Sequence, residues 1–301
     1  MTTLYVTGAG VSADSGIPTF RGEDGYWTIG SVNYTPQEMA TRQMYESDPG
    51  QFLLWYYRRF ASYRHVPPND VHRWLAGECN AAEGGQKRAR LITQNIDGLD
   101  GRAGNADYVC IHGRLDMMTL YDDQMALHGR AQAAAAQHGN VFDGAGLDGG
   151  LIMPAPWDDV PAALRDTGAA SDDPAMASDG EMMAALLTLC RIDGDGQGEG
   201  GAPRPARGVS LKPYVLLFDE YYTDLYRMAT AEAWMQAASR MVFIGTSFSV
   251  NITAIALRTA IQRGIPVEIV DPEPVDLGIP DGMADVTYHR MTAREWVGLG
   301  V

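Results

Sequence analysis

Short runs of apolar and β-branched residues recur along the chain and predict seven strands that are buried on both faces. These runs lie at residues 4–7, 90–93, 108–112, 214–218, 241–245, 267–270 and 286–289. Segments with apolar residues at helical spacing lie between several of them, over 70–82, 223–239 and 252–263. Alternating strands and helices predict an α/β fold in which helices cover both faces of a parallel sheet.

Two regions interrupt this alternation. Residues 32–65 have a helical pattern crowded with aromatic side chains, and residues 114–208 are rich in Gly, Ala and Asp. The second region ends in GDGQGEGGAPRPARG, a composition that predicts a flexible linker. We therefore expect one domain over 1–301, with a large lobe from 1–31, 66–113 and 209–301. The inserts 32–65 and 114–208 would form a smaller lobe.

Charge and hydropathy narrow the classes of partner. The 301-residue chain carries a formal net charge of −15, which disfavours binding to a nucleic-acid backbone. It contains no apolar run approaching the roughly 20 residues that span a bilayer, and no basic-then-apolar leader. We expect a cytoplasmic protein without nucleic-acid or membrane partners. The sequence sets no oligomeric state.

A glycine-rich stretch follows the first predicted strand. It reads TGAGVSADSGIPTFRG over residues 7–22. Gly8 and Gly10 would let the backbone approach a pyrophosphate closely, and Gly16 would allow a tight turn. A helix beginning here would point backbone N–H groups at a phosphate. Two glycines spaced in this way also occur in purely structural turns, which remain the alternative.

Further motifs strengthen the phosphate-binding interpretation. Residues 8–27, GAGVSADSGIPTFRGEDGYW, resemble the first NAD-binding motif of the sirtuin family. TQNIDGLD (93–100), CIHG (110–113), KPYVLLFDE (212–220) and GTSFSV (245–250) resemble later motifs of that family, in its order. The resemblance implies a Rossmann-like sheet with a smaller inserted lobe, and NAD as the cofactor.

The resemblance also assigns roles to residues. His112 would be the base that takes a proton from a ribose hydroxyl, a task suited to an imidazole that titrates near neutrality. Asn95 would join it in the catalytic centre. The implied cofactor-binding residues are Gly8, Ala9, Gly10, Ser12, Phe20, Arg21, Gln94, Asn95, Asp97, Gly245, Thr246, Ser247 and Asp271. Phe20 would cover the reacting ribose, and Arg21 would hold a phosphate or order its loop. Asp271 stands where the family usually has asparagine.

The implied activity is an NAD-dependent protein-lysine deacylase that acts on an acyl-lysine protein or peptide. Its products would be free lysine, nicotinamide and O-acyl-ADP-ribose. The implied substrate-binding residues are Tyr56, Arg59, Val215, Phe218 and Asp219. Two alternatives stay open: ADP-ribose transfer or NAD hydrolysis at the same NAD site, and a non-catalytic sensor of NAD or ADP-ribose.

Tyr56 and Arg59 bear on the choice of acyl group. Family members that remove succinyl or malonyl groups carry Y-x-x-R in the aromatic helix, and Thr19 in PTFRG also resembles that branch. The i,i+3 spacing puts both side chains on one face, where arginine can form a bidentate pair with a carboxylate. The alternative is an aromatic helix packed on the core with solvated arginines.

The chain lacks the cysteine pairs with which most sirtuins bind zinc. Its three cysteines are Cys79, Cys110 and Cys190, and no two of them form a C-x-x-C pair. A substitute site from His128, His138 and Cys190 is the alternative to a small lobe without metal, which we expect. DGDGQGE (193–199) superficially resembles a calcium loop, but Arg204 stands at the twelfth position, where glutamate is required.

Two acidic residues depart from the family pattern near the implied site. Asp219 replaces glycine in F-G-E, where the substrate backbone would pair as an added strand. It would crowd the peptide or select a basic one. Asp100 replaces the histidine that usually follows TQNIDGL, and it therefore changes a polar neighbour of the nicotinamide loop.

Overall fold

The computed structural model describes residues 2–18, 27–138, 151–192, 202–280 and 282–300. The chain divides into two compact units. Unit 1 comprises Met1–Phe20, Val66–Gly113 and Tyr226–Val301, and unit 2 comprises Arg21–His65 and Arg114–Leu225.

Strands and helices are numbered along the chain. The strands are β1 (Thr3–Thr7), β2 (Trp27–Ile29), β3 (Val32–Tyr34), β4 (Ala82–Glu83), β5 (Gln86–Lys87), β6 (Ala89–Thr93), β7 (Val109–Cys110), β8 (Gly113–Leu120), β9 (Ile152–Pro154), β10 (Leu211–Val215), β11 (Arg240–Ile244), β12 (Val267–Val270) and β13 (Val286–His289). The α-helices are α1 (Pro36–Met39), α2 (Arg42–Ser47), α3 (Pro49–Phe60), α4 (Asp70–Asn80), α5 (Leu99–Arg102), α6 (Gln124–His138), α7 (Val160–Asp166), α8 (Asp179–Leu189), α9 (Met228–Ala237), α10 (Asn251–Arg263) and α11 (Ala293–Gly298). Short 3₁₀ helices cover Ala9–Ser15, Ala61–His65, Trp157–Asp159 and Asp224–Tyr226.

Unit 1 is built on a six-stranded sheet with the order β13-β12-β11-β1-β6-β7. Every neighbouring pair is parallel. The predicted α/β fold with a parallel sheet is confirmed. The chain runs from β1 to β6 on one side and later to β11 on the other side. The carboxyl ends of β1 and β11 therefore form the switch point at which ligands bind in open α/β sheets.

Complete burial explains why the runs that form the central strands are apolar. Leu4 and Val6 are completely buried, as are Ile92 on β6 and Phe243 on β11. Each such side chain contributes about 1.5–3 kcal/mol when it is removed from water. Helix α4 precedes β6 on one side of β1, and α10 connects β11 to β12 on the other side. Right-handed crossovers that run in opposite directions across a parallel sheet place their helices on opposite faces.

One predicted strand belongs elsewhere. The run at 214–218 was expected in the parallel sheet, and this expectation is wrong. The strand there is β10, which lies in unit 2 in a three-stranded sheet with the order β10-β8-β9. All residues of β10 are buried, and the run YVLLF at 214–218, which begins within β10, has the continuous apolar signature of a central parallel strand. Residues 209–225 and the described residues 27–31, both expected in the large lobe, accordingly lie in unit 2.

The aromatic helix α3 forms much of the core of unit 2. Phe52, Trp55, Tyr56 and Phe60 are buried, and their rings contact one another at centroid distances of 4.7–5.6 Å. Helix α8 packs against α3 and α7. Among the described residues of the chain, no helix combines the length and apolarity needed to cross a bilayer.

The substitute metal site receives no support. Within the described ranges, no cluster of three or more His, Cys, Asp or Glu residues could hold a metal ion. His128 Nδ1 accepts the backbone N–H of Asp224 at 3.1 Å, and Cys190 is fully buried. The side chain of His138 and the segment 193–199 lie outside the described residues.

Candidate active site

The glycines after β1 fit closely against the loop after β11. A Cβ atom added to Gly10 would lie 2.6 Å from the Cα of Gly245, and one added to Gly8 would lie 2.7 Å from the Gly245 carbonyl oxygen. Gly245 itself has φ +61 and faces Gly10 in return. The backbone that demands glycine at residues 8 and 10 is therefore the neighbouring loop. This is a reason that the sequence analysis did not anticipate.

The segment after Gly8 forms a 3₁₀ helix over Ala9–Ser15, which ends at Gly16 with φ +81. Gly16 thus provides the predicted tight turn, because side chains rarely adopt this left-handed conformation. The backbone N–H of Gly10 donates to Gly245 O at 2.9 Å, and that of Gly8 donates to Ile244 O at 3.0 Å. These two bonds join the loops at the switch point of the sheet.

Ser12 is the centre of a buried polar network. Its hydroxyl donates to Asp97 Oδ2 at 2.7 Å and accepts from Asn95 Nδ2 at 3.1 Å. Asn95 Nδ2 also donates to Gly8 O at 3.0 Å. The second carboxylate oxygen of Asp97 accepts the backbone N–H of Leu99 at 2.8 Å. Residues that follow β1 and β6 are thereby held in one arrangement.

His72 of α4 contacts this network through Ser12. Its Nε2 lies 3.4 Å from Ser12 Oγ, and its Nδ1 lies 2.9 Å from Asn69 Oδ1. Asn69 Nδ2 in turn donates to the carbonyl of Val11 at 2.8 Å. Burial, together with the nearby Arg102 and Arg73, lowers the pKa of His72 to about 4. His72 is therefore neutral at pH 7 and packs beside Ser12 without bringing a charge.

The sequence analysis missed His72, although a signal was present. Asn69 and His72 stand at the start of α4, where both take part in a capping box. His72 occupies the apolar face of the helix, between positions that bury Val71 and Leu75. A histidine on a buried face needs a polar partner, and Ser12 and Asn69 provide it.

Gln94 joins the ends of three strands. Its side-chain amide donates to Thr7 O and to Thr246 Oγ1, both at 3.1 Å. Its backbone carbonyl accepts from His112 Nδ1 at 2.9 Å. The predicted residues Gln94, Thr246 and His112 are thus brought together at the carboxyl edge of the sheet.

The bond to Gln94 determines the tautomer of His112. A carbonyl only accepts, so Nδ1 carries the hydrogen and Nε2 carries the lone pair that can take up a proton. Burial lowers the pKa of His112 to about 4, and the bond to Gln94 offsets this in part. The imidazole is therefore neutral at pH 7, which is the form required of a base.

The remaining predicted cofactor residues follow β1, β11 and β12. Ala9 opens the 3₁₀ helix, and Ser247 Oγ lies 2.7 Å from Ser249 Oγ. Asp271 is buried at the end of β12, and its Oδ1 accepts the backbone N–H of Glu273 at 2.9 Å. Thr19, Phe20 and Arg21 lie outside the described residues.

The predicted substrate residues lie in unit 2. Val215 is buried at the end of β10, whereas Phe218 is 61% exposed. A buried ion pair joins the two ends of the segment 212–220. Lys212 Nζ donates to Glu220 Oε2 at 2.8 Å and to Val215 O at 2.9 Å. The backbone N–H of Phe218 donates to Ala40 O at 2.9 Å.

Asp219 has a structural contact that its sequence position did not indicate. Its carboxylate accepts the backbone N–H groups of Arg42 at 2.6 Å and Gln43 at 3.1 Å, which are the first two residues of α2. Its charge therefore caps a helix N-terminus, where negative charge is favourable. This contact gives a structural reason for an aspartate at residue 219 that requires no basic peptide.

Tyr56 and Arg59 occupy different environments on α3. Tyr56 is 2% exposed within the aromatic cluster, and burial raises the pKa of its hydroxyl well above the usual value. Arg59 is half-buried, with its guanidinium carbon 5.7 Å from the centroid of Phe60. Arg58 pairs with Asp179 of α8 at 2.5 Å. Part of the alternative interpretation, an aromatic helix packed on the core, therefore holds for this face of α3.

Comparison with known proteins identifies a family. A family model described as the Sir2 family matches residues 8–252. The NAD-dependent protein deacylase 1 of Caldanaerobacter subterraneus subsp. tengcongensis is 40% identical over 113 residues, which are 38% of this chain and 43% of that relative. The mitochondrial NAD-dependent protein deacylase sirtuin-5 of Danio rerio is 43% identical over 111 residues, 36% of this chain and 35% of that relative. The chain thus spans less than half the length of these relatives.

A solved structure supports the fold. A Sir2 protein in complex with a p53 peptide and NAD+ matches with a TM-score of 0.61 and 21% sequence identity. The match covers 99% of this chain and 91% of the other. At this identity the likeness shows the fold alone.

Proposed function

The chain belongs to the Sir2 family, and from this premise we propose that it removes acyl groups from protein lysine residues with NAD as the co-substrate. The observation that carries the proposal is the neutral His112, with Nδ1–H fixed on Gln94 at the carboxyl edge of the sheet. The names of the Caldanaerobacter and Danio relatives, both NAD-dependent protein deacylases, support it.

The residues at the switch point fit a dinucleotide. Side chains that can bond ribose hydroxyls or an amide follow four neighbouring strands: Ser12 after β1, Asn95 and Asp97 after β6, Thr246 and Ser247 after β11, and Asp271 after β12. A buried carboxylate at such a strand end is a typical partner of an adenosine ribose. Asp271 would serve in this way, and Ser247 and Thr246 would bind beside it.

Bound NAD supplies the leaving nicotinamide and the ADP-ribose that accepts the acyl group. The chain supplies the positioning. Asp97 and Asn95 would bind the nicotinamide carboxamide and its ribose, because the Ser12 network already fixes both side chains. His112 Nε2 would take a proton from a ribose hydroxyl. Ordered side chains of this kind lower the barrier because no reorganisation is needed during the reaction.

The acyl-lysine substrate is assigned to unit 2. We keep Val215, Phe218 and Asp219 as the peptide-binding segment, with the exposed Phe218 as its contact surface. Tyr56 and Arg59 remain the candidates for an acyl carboxylate, which would favour succinyl or malonyl over acetyl groups. Unit 1 then corresponds to the NAD-binding lobe and unit 2 to the small lobe. The cytoplasmic location stays a prediction.

The test is nicotinamide release from NAD with no peptide and with acetyl-, malonyl- and succinyl-lysine peptides. We expect release that depends on an acylated peptide. Arg59→Ala should reduce turnover of the acidic acyl groups and leave the acetyl peptide unaffected, and Arg58→Ala is the matched control on the neighbouring position. An equal loss of turnover with the acetyl, malonyl and succinyl peptides would show that Arg59 does not select the acyl group.

The alternatives predict other outcomes in the same assay. Release that does not depend on an acyl peptide would indicate ADP-ribose transfer or NAD hydrolysis. Binding of NAD without any release would indicate a sensor. Asp219, which was expected to crowd the peptide or select a basic one, is accounted for by its bonds to the start of α2 and gives no argument against a peptide substrate. The deacylase is therefore the function that the geometry supports best.

A further inference from the structure

Asp100 is a buried carboxyl group directly behind the proposed nicotinamide-binding residues. It lies in the first turn of α5 and is 2% exposed. Its Oδ1 is buried and has no hydrogen-bond partner among the described residues. A buried, unpaired carboxylate oxygen is costly when charged, and a proton on the group removes most of that cost.

A second carboxylate, that of Asp97, lies three residues earlier in the chain and close enough to act on the charge of Asp100. Asp97 shares the same segment, and its two oxygens hold Ser12 Oγ and the N–H of Leu99. Repulsion from Asp97 adds to burial and raises the pKa of Asp100 to about 7. Two carboxylates that share a buried site do not both ionise readily. Because Asp97 already accepts two hydrogen bonds, Asp100 is the member of the pair that keeps the proton.

The other neighbours of Asp100 do not supply a charge that would compensate an ionised carboxylate at this position. The side chain of Thr93 on β6 bonds to the carboxyl group, which lowers the pKa of Asp100 and offsets the effects of burial and Asp97 only in part. The Thr93 hydroxyl also accepts the backbone N–H of Asn95 at 3.2 Å. Cys79 on α4 has its pKa raised to about 12, so this thiol stays uncharged. Arg102 on α5 donates to the carbonyl of Asp97 at 3.0 Å. Asp100 is therefore linked through Thr93 to Asn95 and by charge to Asp97.

We propose that Asp100 is a proton-dependent positioning residue, which must be protonated for the segment Gln94–Asp97 to bind NAD with full affinity. When the proton is lost, repulsion between the two carboxylates and the changed bond to Thr93 displace Asn95 and Asp97. The inference rests on the proposed NAD site, and it adds a pH control to it. NAD binding and proton uptake at Asp100 are then linked.

Calorimetric titration of NAD tests this directly. We expect the dissociation constant of the unmodified protein to rise by about thirtyfold between about pH 6 and pH 8.5, since only the protonated fraction is competent. Asp100→Asn mimics the protonated carboxyl and should keep the low-pH affinity throughout. Repeating the titration in buffers of different ionisation enthalpy should reveal proton uptake above about pH 7, and Asp100→Asn should lose it. The exposed Asp70, changed to Asn, is the matched control.

Stability gives a readout that needs no NAD. The folded pKa of Asp100 lies above the unfolded value of 3.8, so the unfolded chain releases this proton first. The free energy of unfolding therefore falls as the pH rises from about 4 to about 7, and the loss is constant above about pH 7. The unfolding midpoint of Asp100→Asn should exceed that of the unmodified protein. The difference between the two midpoints should grow from about pH 4 to about pH 7 and stay constant at higher pH. Asp100→Leu, which has a similar size and no titratable group, replaces it if Asp100→Asn does not fold.

The outcomes separate the two proposals. Equal pH dependence of NAD affinity in Asp100→Asn and the unmodified protein would overturn the inference, and so would a stability difference that does not change with pH. If NAD fails to bind at every pH while the stability difference follows the expected course, the proposed function is wrong. The conclusion that the folded protein holds a proton on Asp100 is then retained.

Discussion

The Nδ1 atom of His112 lies 2.9 Å from the carbonyl oxygen of Gln94. This one contact connects β7 to β6 and leaves Nε2 as the basic nitrogen. The side chain of the same Gln94 reaches Thr7 and Thr246 at the ends of two further strands. The proposed base is therefore fixed by a residue that also joins the loops of the proposed cofactor site.

The contact between Gly10 and Gly245 leaves no room for a side chain. We predict that Gly10→Ala separates the two loops, since its Cβ would lie 2.6 Å from the Gly245 Cα. The expected result is a lower unfolding midpoint and loss of NAD binding, measured by thermal unfolding and calorimetry. Gly77→Ala on α4 is the control, because nothing lies within 4 Å of the added Cβ. It should stabilise the protein by up to about 1 kcal/mol. An unchanged Gly10→Ala would contradict the close fit.

Ser12 is predicted to matter through its two hydrogen bonds. Ser12→Ala removes the donor to Asp97 and the acceptor for Asn95, which leaves buried polar groups unpaired. We expect a loss of about 1–3 kcal/mol of stability, and NAD affinity should fall with it. Ser239, which donates to Thr2 O near the amino end of the sheet, is the matched control. Ser239→Ala should leave NAD affinity unchanged, and equal effects of both substitutions would argue against a specific role of Ser12.

Two buried histidines make the fold sensitive to acid. His72 and His112 have their pKa lowered from 6.5 to about 4, so the folded protein binds fewer protons than the unfolded chain between these values. Their stabilising contribution is complete above about pH 6.5 and is lost as the pH falls toward 4, at about 1.4 kcal/mol per unit and group. Urea unfolding at several pH values should show a shallower decline for His72→Asn than for the unmodified protein. His65→Asn, at a side chain 67% exposed, should not change the slope.

Asp219 is predicted to act on stability. Asp219→Ala removes the acceptor for two N–H groups at the start of α2 and should lower the free energy of unfolding by about 0.5–2 kcal/mol. Asp166→Ala, at the exposed end of α7, is the control and should be neutral. Asp219→Asn removes the charge and so tests whether Asp219 selects basic peptides. We expect no change in the preference for basic over acidic peptides. A clear shift in that preference would restore the role that the sequence suggested.

Much of unit 1 could be predicted from the sequence because its strands have one local signature. Runs such as 4–7 and 241–245 are apolar throughout, as strands covered on both faces must be, and their motifs stand at the strand ends. The same signature placed β10 in the wrong sheet. Burial on both faces determines composition, whereas the choice of neighbouring strand depends on pairings far away along the chain.

The sequence named many of the side chains that the described structure brings to the strand ends, but not the contacts that they make there. The motifs supplied Ser12, Asn95 and Asp97, yet they gave no sign that Gly8 and Gly10 fit against Gly245. A buried position for His72 could have been inferred from the apolar face of α4, but its contact with Ser12 depends on elements that meet only in the folded chain, as does the capping role of Asp219. Such contacts leave no periodic trace in the sequence.

The central claim is acyl transfer to ADP-ribose with His112 as the base. The most direct measurement is product analysis by mass after incubation of NAD and an acyl-lysine peptide with the protein and with His112→Asn. The account predicts O-acyl-ADP-ribose and deacylated peptide from the unmodified protein, and a yield lower by about 10²–10⁴ from His112→Asn, which should still bind NAD. Free ADP-ribose or ADP-ribosylated peptide without deacylation, or full activity of His112→Asn, would contradict it.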